Sequence, residues 1–192
     1  MKYRVLGRTG LNVSEIGLGG EWFNGLTAEE SIRIVDVAQE HGINYVDIFM
    51  PQAPTRDNLG IALQGRRYQF IIRGHLCTIY EHDQCTCTRD IEKTKRSFAD
   101  LLEHRHTDYI DVGMIHYVDS ENDLKTVFDG LVLEYAKELK EKGVIGYVWY
   151  EFPQSTHCPE SCREWLDRRS DVQHQPSLRY GSSRHRYLFE KT

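Results

Sequence analysis

Four residues able to hold or pass a proton stand where apolar runs end: Glu21 in LGGEW, Asp47 in YVDIF, His75 in IIRGHL and His116 in MIHYV. Carboxylates and imidazoles change charge between about pH 4 and pH 7, which makes them the usual agents of proton transfer. Gathered at one end of a set of strands, such residues suit the functional face of a parallel fold. Cys77, His82, Cys85 and Cys87 form a second reactive group. Their spacing matches no paired metal motif, so they read as a flexible loop with incidental thiols and no metal site.

The elements that must position these residues alternate along the chain. Gly7 and Gly10 mark the turn of an opening hairpin, and LNVSEIGLGG reads as short strands broken by glycine. Thr27 and Glu30 have capping-box spacing, and Gly42 can take the left-handed position that stops the helix. Ile34, Val37 and Ala38 are expected on the core face of that helix. INYVDIF is a buried strand, and Leu59, Ala62 and Leu63 share one face of a short helix. QFIIRGHL is a strand, followed by a helix carrying Ile91, Phe98, Leu101 and Leu102. DYIDVGMIHYV is a further strand. Phe128, Leu131, Val132, Tyr135 and Leu139 predict one long apolar helix face, closed by Gly143 before the strand VIGYV.

Strand–helix alternation with continuous apolar strands implies a parallel sheet covered by helices. Pattern alone permits an open doubly wound sheet or a (β/α)8 barrel. No G-x-G-x-x-G lies between a strand and a helix, which weighs against the dinucleotide-binding open sheet. Polar residues at the strand ends favour the barrel.

The chain of 192 residues has the size and composition of one soluble globular domain. Its net charge of -5 argues mildly against nucleic acid or an anionic membrane as partner. No apolar run reaches the roughly 20 residues of a membrane span. The stretch MKYRVLGRTGLNVSEIGLGG lacks a signal-peptide core, which predicts a cytoplasmic protein. Five cysteines, an odd number without framework spacing, fit reduced thiols.

YRVLGRTGLNVSEIGLGG, GINYVDIF, NLGIALQGRR and TDYIDVGMIH together resemble the aldo-keto reductase family, over about residues 1–148. The resemblance implies a (β/α)8 TIM-type barrel, truncated here to roughly its first five to six βα units. It also implies NADPH or NADH as cofactor and a small-molecule carbonyl substrate, an aldehyde or ketone reduced by hydride transfer. The family surrounds the carbonyl with Asp, Tyr, Lys and His. Asp47 and His116 match the first and last, whereas Gln52 and His75 stand at the Tyr and Lys positions. A glutamine amide does not release a proton near neutral pH, so Gln52 is no general acid. His75 beside Asp47 would have its imidazolium favoured and could protonate the carbonyl, with Gln52 or His116 bonding the oxygen. The pair could instead be structural, or the barrel could bind a ligand without redox chemistry. Gly19, Gly20, Glu21 and Trp22 occupy the loop that lies by the nicotinamide in the family, where small residues would let cofactor approach backbone. Cys158 and Cys162 do not reproduce the cysteine spacing of relatives that carry an iron–sulfur segment.

The segment 149–192 departs from all of this. It contains no Ala, Ile, Met or Asn. A permitted back-translation, read one nucleotide forward, contains GMSSHNP and MFSINPAYD, both similar to later segments of the family. The expectation is therefore a non-family tail from Trp149 onward, produced by out-of-frame translation or a sequencing error and poorly ordered, so that the polypeptide would be a weakly active or inactive truncated product. The rival is a real divergent segment whose RYGSSRHRY could bind an acidic surface.

Overall fold

The structure, a computed structural model, describes residues 1–118, 120–153 and 172–177. An opening hairpin pairs β1 (Tyr3–Val5) with β2 (Asn12–Ser14), and both turn glycines have positive φ, 54° at Gly7 and 75° at Gly10. A sheet of six strands follows, all neighbours parallel: β3 (Leu18–Gly19), β4 (Tyr45–Ile48), β5 (Ile71–Leu76), β8 (Ile110–Ile115), β9 (Ile145–Pro153) and β10 (Val172–Ser177), in that spatial order. Helices α1 (Ala28–Glu40), α2 (Ala53–Leu63), α3 (Ile91–His104), α4 (Glu121–Phe128) and α5 (Leu131–Glu141) connect the strands. No described helix is long and apolar enough to cross a membrane.

Local chemistry sets the helix ends. Thr27 Oγ1 accepts the Glu30 N–H at 3.2 Å while Glu30 Oε2 accepts the Thr27 N–H at 2.8 Å, the reciprocal capping box expected. Gly42 stops α1 with φ 76°, and the amide of Ile43 returns to the Ala38 carbonyl at 2.8 Å.

The side-chain period of two in each strand sorts residues between two faces. One face carries Val46, Ile48, Ile72, Leu76, Ile115 and Val148, packed under the helices with Leu59, Phe98, Leu101 and Val132 in the main core. The other carries a smaller apolar cluster of Leu6, Val13, Tyr45, Val112, Met114 and Trp149. Leu6 and Val13 come from the opening hairpin and its turn, so the hairpin covers this second face.

Several expectations are corrected. In α1 the buried positions are Ser31, Val35 and Ala38, while Ile34 and Val37 are 37% and 54% exposed. The apolar stripe is wider than the contact, and Ser31 occupies a core position because its hydroxyl bonds the Thr27 carbonyl at 2.9 Å. The helix expected through Phe128–Leu139 is two helices, with Gly130 in extended backbone between them and Leu131 59% exposed. The cysteine loop is instead a hairpin, β6 (Thr78–Glu81) with β7 (Gln84–Cys87), turned by His82 and Asp83 at φ 52° and 60°. Two positive φ values are what a two-residue turn matching strand twist requires. β9 extends through Trp149 and Tyr150, both buried, and β10 pairs with it. The remainder of the expected tail, including Cys158 and Cys162, lies outside the described residues.

Candidate active site

Parallel register brings the site together from three strands. Asp47 of β4 pairs with Arg73 of β5, and His75 of β5 pairs with Met114 of β8, two residues before His116. Asp47, Arg73 and His75 therefore project from the face floored by Tyr45, Met114 and Trp149.

Asp47 is the hub. Its Oδ1 accepts hydrogen bonds from Arg73 Nε at 2.9 Å and from His75 Nε2 at 2.8 Å, and its Oδ2 accepts from Arg73 Nη2. Burial alone would raise its pKa, but the Arg73 guanidinium and then His75 outweigh burial and hold the carboxyl well below the usual carboxylate range. Asp47 is thus an ionised acceptor with no proton to give. Arg73 lies over the Tyr45 ring at 5.8 Å, and burial pushes the Tyr45 hydroxyl up to about 12.

The ionised carboxylate fixes the polarity of the groups beyond it. His75 must carry its proton on Nε2, which in the neutral ring leaves Nδ1 as an acceptor. His75 Nδ1 lies 2.7 Å from His116 Nδ1. With a neutral His75, His116 donates there and keeps a lone pair on Nε2, whereas a protonated His75 would donate to His116 Nδ1 and leave the His116 proton on Nε2. Burial, and secondarily the neighbouring His75, push the His116 imidazole down to about 2, so its resting form is neutral. His116 is 5% exposed, and its Nε2 is buried without a partner among the described residues. With His75 neutral, the donor chain runs from His116 through His75 to Asp47, with one open acceptor at its far end.

Supporting groups hold that end in place. Phe49 stacks near-parallel on the His116 ring, with centroids 5.9 Å apart, and tilts against His75 at 6.0 Å. Arg89 Nη1 donates to the His116 carbonyl at 2.9 Å, Nη2 donates to the Tyr117 carbonyl, and Asp123 holds the same guanidinium through Nε at 2.8 Å. Tyr117 takes φ 48°, a conformation uncommon outside glycine, and packs its ring against His116 at 3.9 Å.

The structure thus joins Asp47, His75 and His116. Gln52 sits at the N-cap of α2 without capping it, and its Oε1 is buried with no partner among the described residues. Glu21 lies in a short turn of 3-10 helix, exposed and, among the described residues, with no hydrogen bond to the cluster. Gly19 has open space where a Cβ would stand, whereas a Cβ on Gly20 would meet the Asp47 carbonyl at 2.9 Å. Gly20 is therefore required by strand packing, and Gly19 is the member of the pair that leaves room for a ligand. Sequence reading missed Arg73 and Arg89. A charged residue two before His75 in an otherwise apolar strand was the available signal for the first, since that spacing shares a face.

These residues fit the reactive end of a nicotinamide site, with a buried imidazole acceptor and a buried amide oxygen awaiting donors. They supply less for its phosphates. Arg56, Arg73 and Arg89 are each engaged by a carboxylate, Asp100, Asp47 and Asp123 respectively.

The uncharacterized oxidoreductase YqkF of Bacillus subtilis (strain 168) is 30% identical over 151 residues, covering 77% of this chain but only 47% of that protein. This chain therefore spans about half the length of that relative. Among solved structures, aldo-keto reductase AKR11C1 from Bacillus halodurans in its holo form superposes with a TM-score of 0.71 at 29% identity, over 91% of this chain and 57% of that one. Its apo form gives 0.62 at 27% identity, over 91% and 55%. The aldo/keto reductase family model matches residues 15–149, the stretch that supplies Asp47, Arg73, His75 and His116, and the chain belongs to that family.

Proposed function

We propose that this chain carries the proton-handling part of an NAD(P)H-dependent oxidoreductase site that interconverts a small aldehyde or ketone with its alcohol. In this reading His116 Nε2 is the atom that meets the substrate oxygen, His75 is a positioning residue between His116 and Asp47, and Asp47 fixes the tautomer of both rings. The observation that carries it is the continuous chain from Asp47 Oδ1 to His116 Nδ1, at 2.8 and 2.7 Å, with one imidazole nitrogen left open. Both nitrogens of His75 are already engaged, so the direct proton transfer expected of His75 passes to His116.

The polarity of the chain sets its preferred direction. With an alcohol in place, its hydroxyl donates to His116 Nε2, and the proton stays there as the C–H hydride leaves. The resulting imidazolium is held by His75 Nδ1 and, through that ring, by Asp47. The nicotinamide, when bound, takes or supplies the hydride. Carbonyl reduction runs the same transfer backwards and requires His116 to be protonated first, so it is favoured by acid. Gln52 Oε1 offers a second acceptor and Gly19 the open approach for cofactor. The engagement of Arg56, Arg73 and Arg89 by carboxylates favours a second reading, a barrel that binds a small ligand without a redox step.

Carbonyl-dependent loss of NAD(P)H absorbance separates the two. The first reading expects turnover that rises as pH falls and is lost in His116→Ala. Quenching of cofactor fluorescence without turnover at any pH supports the second, and neither signal sinks both. Resequencing codons 145 to 155 tests the proposed reading-frame shift, which a confirmed frame would refute.

A further inference from the structure

Arg105, at the C-terminal end of α3, is the most poorly matched charge among the described residues. It is 3% exposed, and its Nε and Nη1 are both buried without a hydrogen-bond partner among the described residues. Among the described residues no carboxylate pairs with it, unlike Arg56 with Asp100 and Arg67 with Asp111. Two further guanidinium nitrogens, Arg56 Nη2 and Arg67 Nε, are likewise buried and unpartnered. Arg67 and Arg56 lie close enough that their charges add to burial in pushing the Arg105 guanidinium down to about 9. Asp100 pairs with Arg56 and Asp111 with Arg67, while the third carboxylate at the contact, Asp57, is bonded by His104, so none of the three meets the Arg105 charge. The negative end of the α3 dipole offsets part of it, but a helix terminus supplies only a fraction of a charge.

A buried cation with unused donors is costly unless an anion meets it. We infer that Arg105, with Arg67 and Arg56 nearby, forms a binding site for one compact monovalent anion, a halide, at the α2–α3 contact and apart from the Asp47–His116 cluster. Charge argues for one negative unit, because that balances the local excess. Packing argues for small size. With Arg105 itself 3% exposed, the ion must sit among packed side chains, which admit a halide more readily than a tetrahedral oxyanion. A water could satisfy one donor but would leave the charge unmatched.

The test compares thermal unfolding of the unmodified chain in sodium chloride and in sodium gluconate at equal ionic strength. A halide site predicts a saturable rise in Tm of roughly 5 °C in chloride alone, the order expected when ligand greatly exceeds its Kd. The rise should vanish in Arg105→Met, which keeps the aliphatic stem and removes the charge. Equal Tm in the two salts, or a full chloride response in Arg105→Met, would overturn the inference. Should Arg105→Met fail to fold, the chloride NMR linewidth decides on the unmodified chain. Excess broadening that bromide displaces supports the site, and no excess broadening refutes it.

Discussion

Arg73 and Arg105 are both buried, 8% and 3% exposed, yet they stand in opposite surroundings. Arg73 faces Asp47 through two of its nitrogens, and the same carboxylate organises His75 and His116. Among the described residues Arg105 has no carboxylate and two nitrogens without a partner. The first cluster ends in an open acceptor, His116 Nε2, and the second in open donors. The difference teaches that burial of charge is tolerable in the sheet because register places Asp47 opposite Arg73, whereas the α2–α3 contact has no such pairing rule. Helix packing places side chains by shape, so the same contact gives Arg56 the carboxylate of Asp100 and leaves Arg105 without one among the described residues.

The sharpest break in this contrast is Asp47→Asn, which makes Arg73 resemble Arg105. The amide cannot neutralise the guanidinium, so one partner of a buried pair is removed and about 3–5 kcal/mol of stability should be lost. Urea unfolding reads this directly. An unchanged midpoint would mean that Arg73 is solvated well enough not to need Asp47. Asparagine can also donate to His75 Nε2, which would reverse the tautomers and turn His116 Nε2 from acceptor into donor.

Next in size is the effect of His116 on catalysis. Loss of a positioned proton-transfer group typically costs about 10²–10⁴-fold in rate. His116→Ala should fall in that range for carbonyl reduction, measured against a chain whose Asp47–Arg73 pair is untouched. If turnover survives, the proton comes from elsewhere.

The pH dependence of stability sharpens the comparison within the first cluster. His116 is depressed to about 2 in the fold, from an ordinary value near 6.5. Between those values the unfolded chain binds a proton that the folded chain does not, so stability rises with pH across this window and is lost as acid is added. The slope from one such group is at most about 1.4 kcal/mol per pH unit. Asp47 is also depressed, so its contribution is present above the carboxylate range and is lost only as pH falls through that range toward the folded value. Acid should therefore weaken the fold in two stages, first through His116 below about pH 6.5 and then through Asp47 below about pH 4. His116→Gln should erase the first stage and leave the second.

What the sequence made legible follows the same physical division. Features fixed by near neighbours were readable: the Thr27–Glu30 cap, the positive φ of Gly42, and the strands that end in Asp47, His75 and His116. The His75–His116 bond spans 41 residues and depends on the register of β5 with β8, which no local pattern states. Arg73 was overlooked because a lone cation in an apolar strand has no motif, although its two-residue spacing from His75 placed both on one face. The His82–Asp83 turn lacks the glycine that usually announces such a hairpin. In α1 more apolar positions were available than the contact could bury, so periodicity alone could not centre the face on Val35 rather than Ile34.

Arg105 marks the limit of that legibility and supplies the last way to test the contrast. In RHTDYID nothing separates a buried Arg105 from a solvated one, because its burial arises from how α3 ends against α2. If its charge is unmatched in the absence of halide, Arg105→Met should stabilise the chain there by about 1–4 kcal/mol, as apolar replacement of buried charge often does. Raising chloride should narrow the gap by stabilising only the unmodified chain. The equivalent removal of charge at Arg73 should do the opposite, since it would leave Asp47 buried without its cation. Two arginines of similar burial would then respond with opposite signs, and the sign is set by whether the fold itself provides the counter-charge.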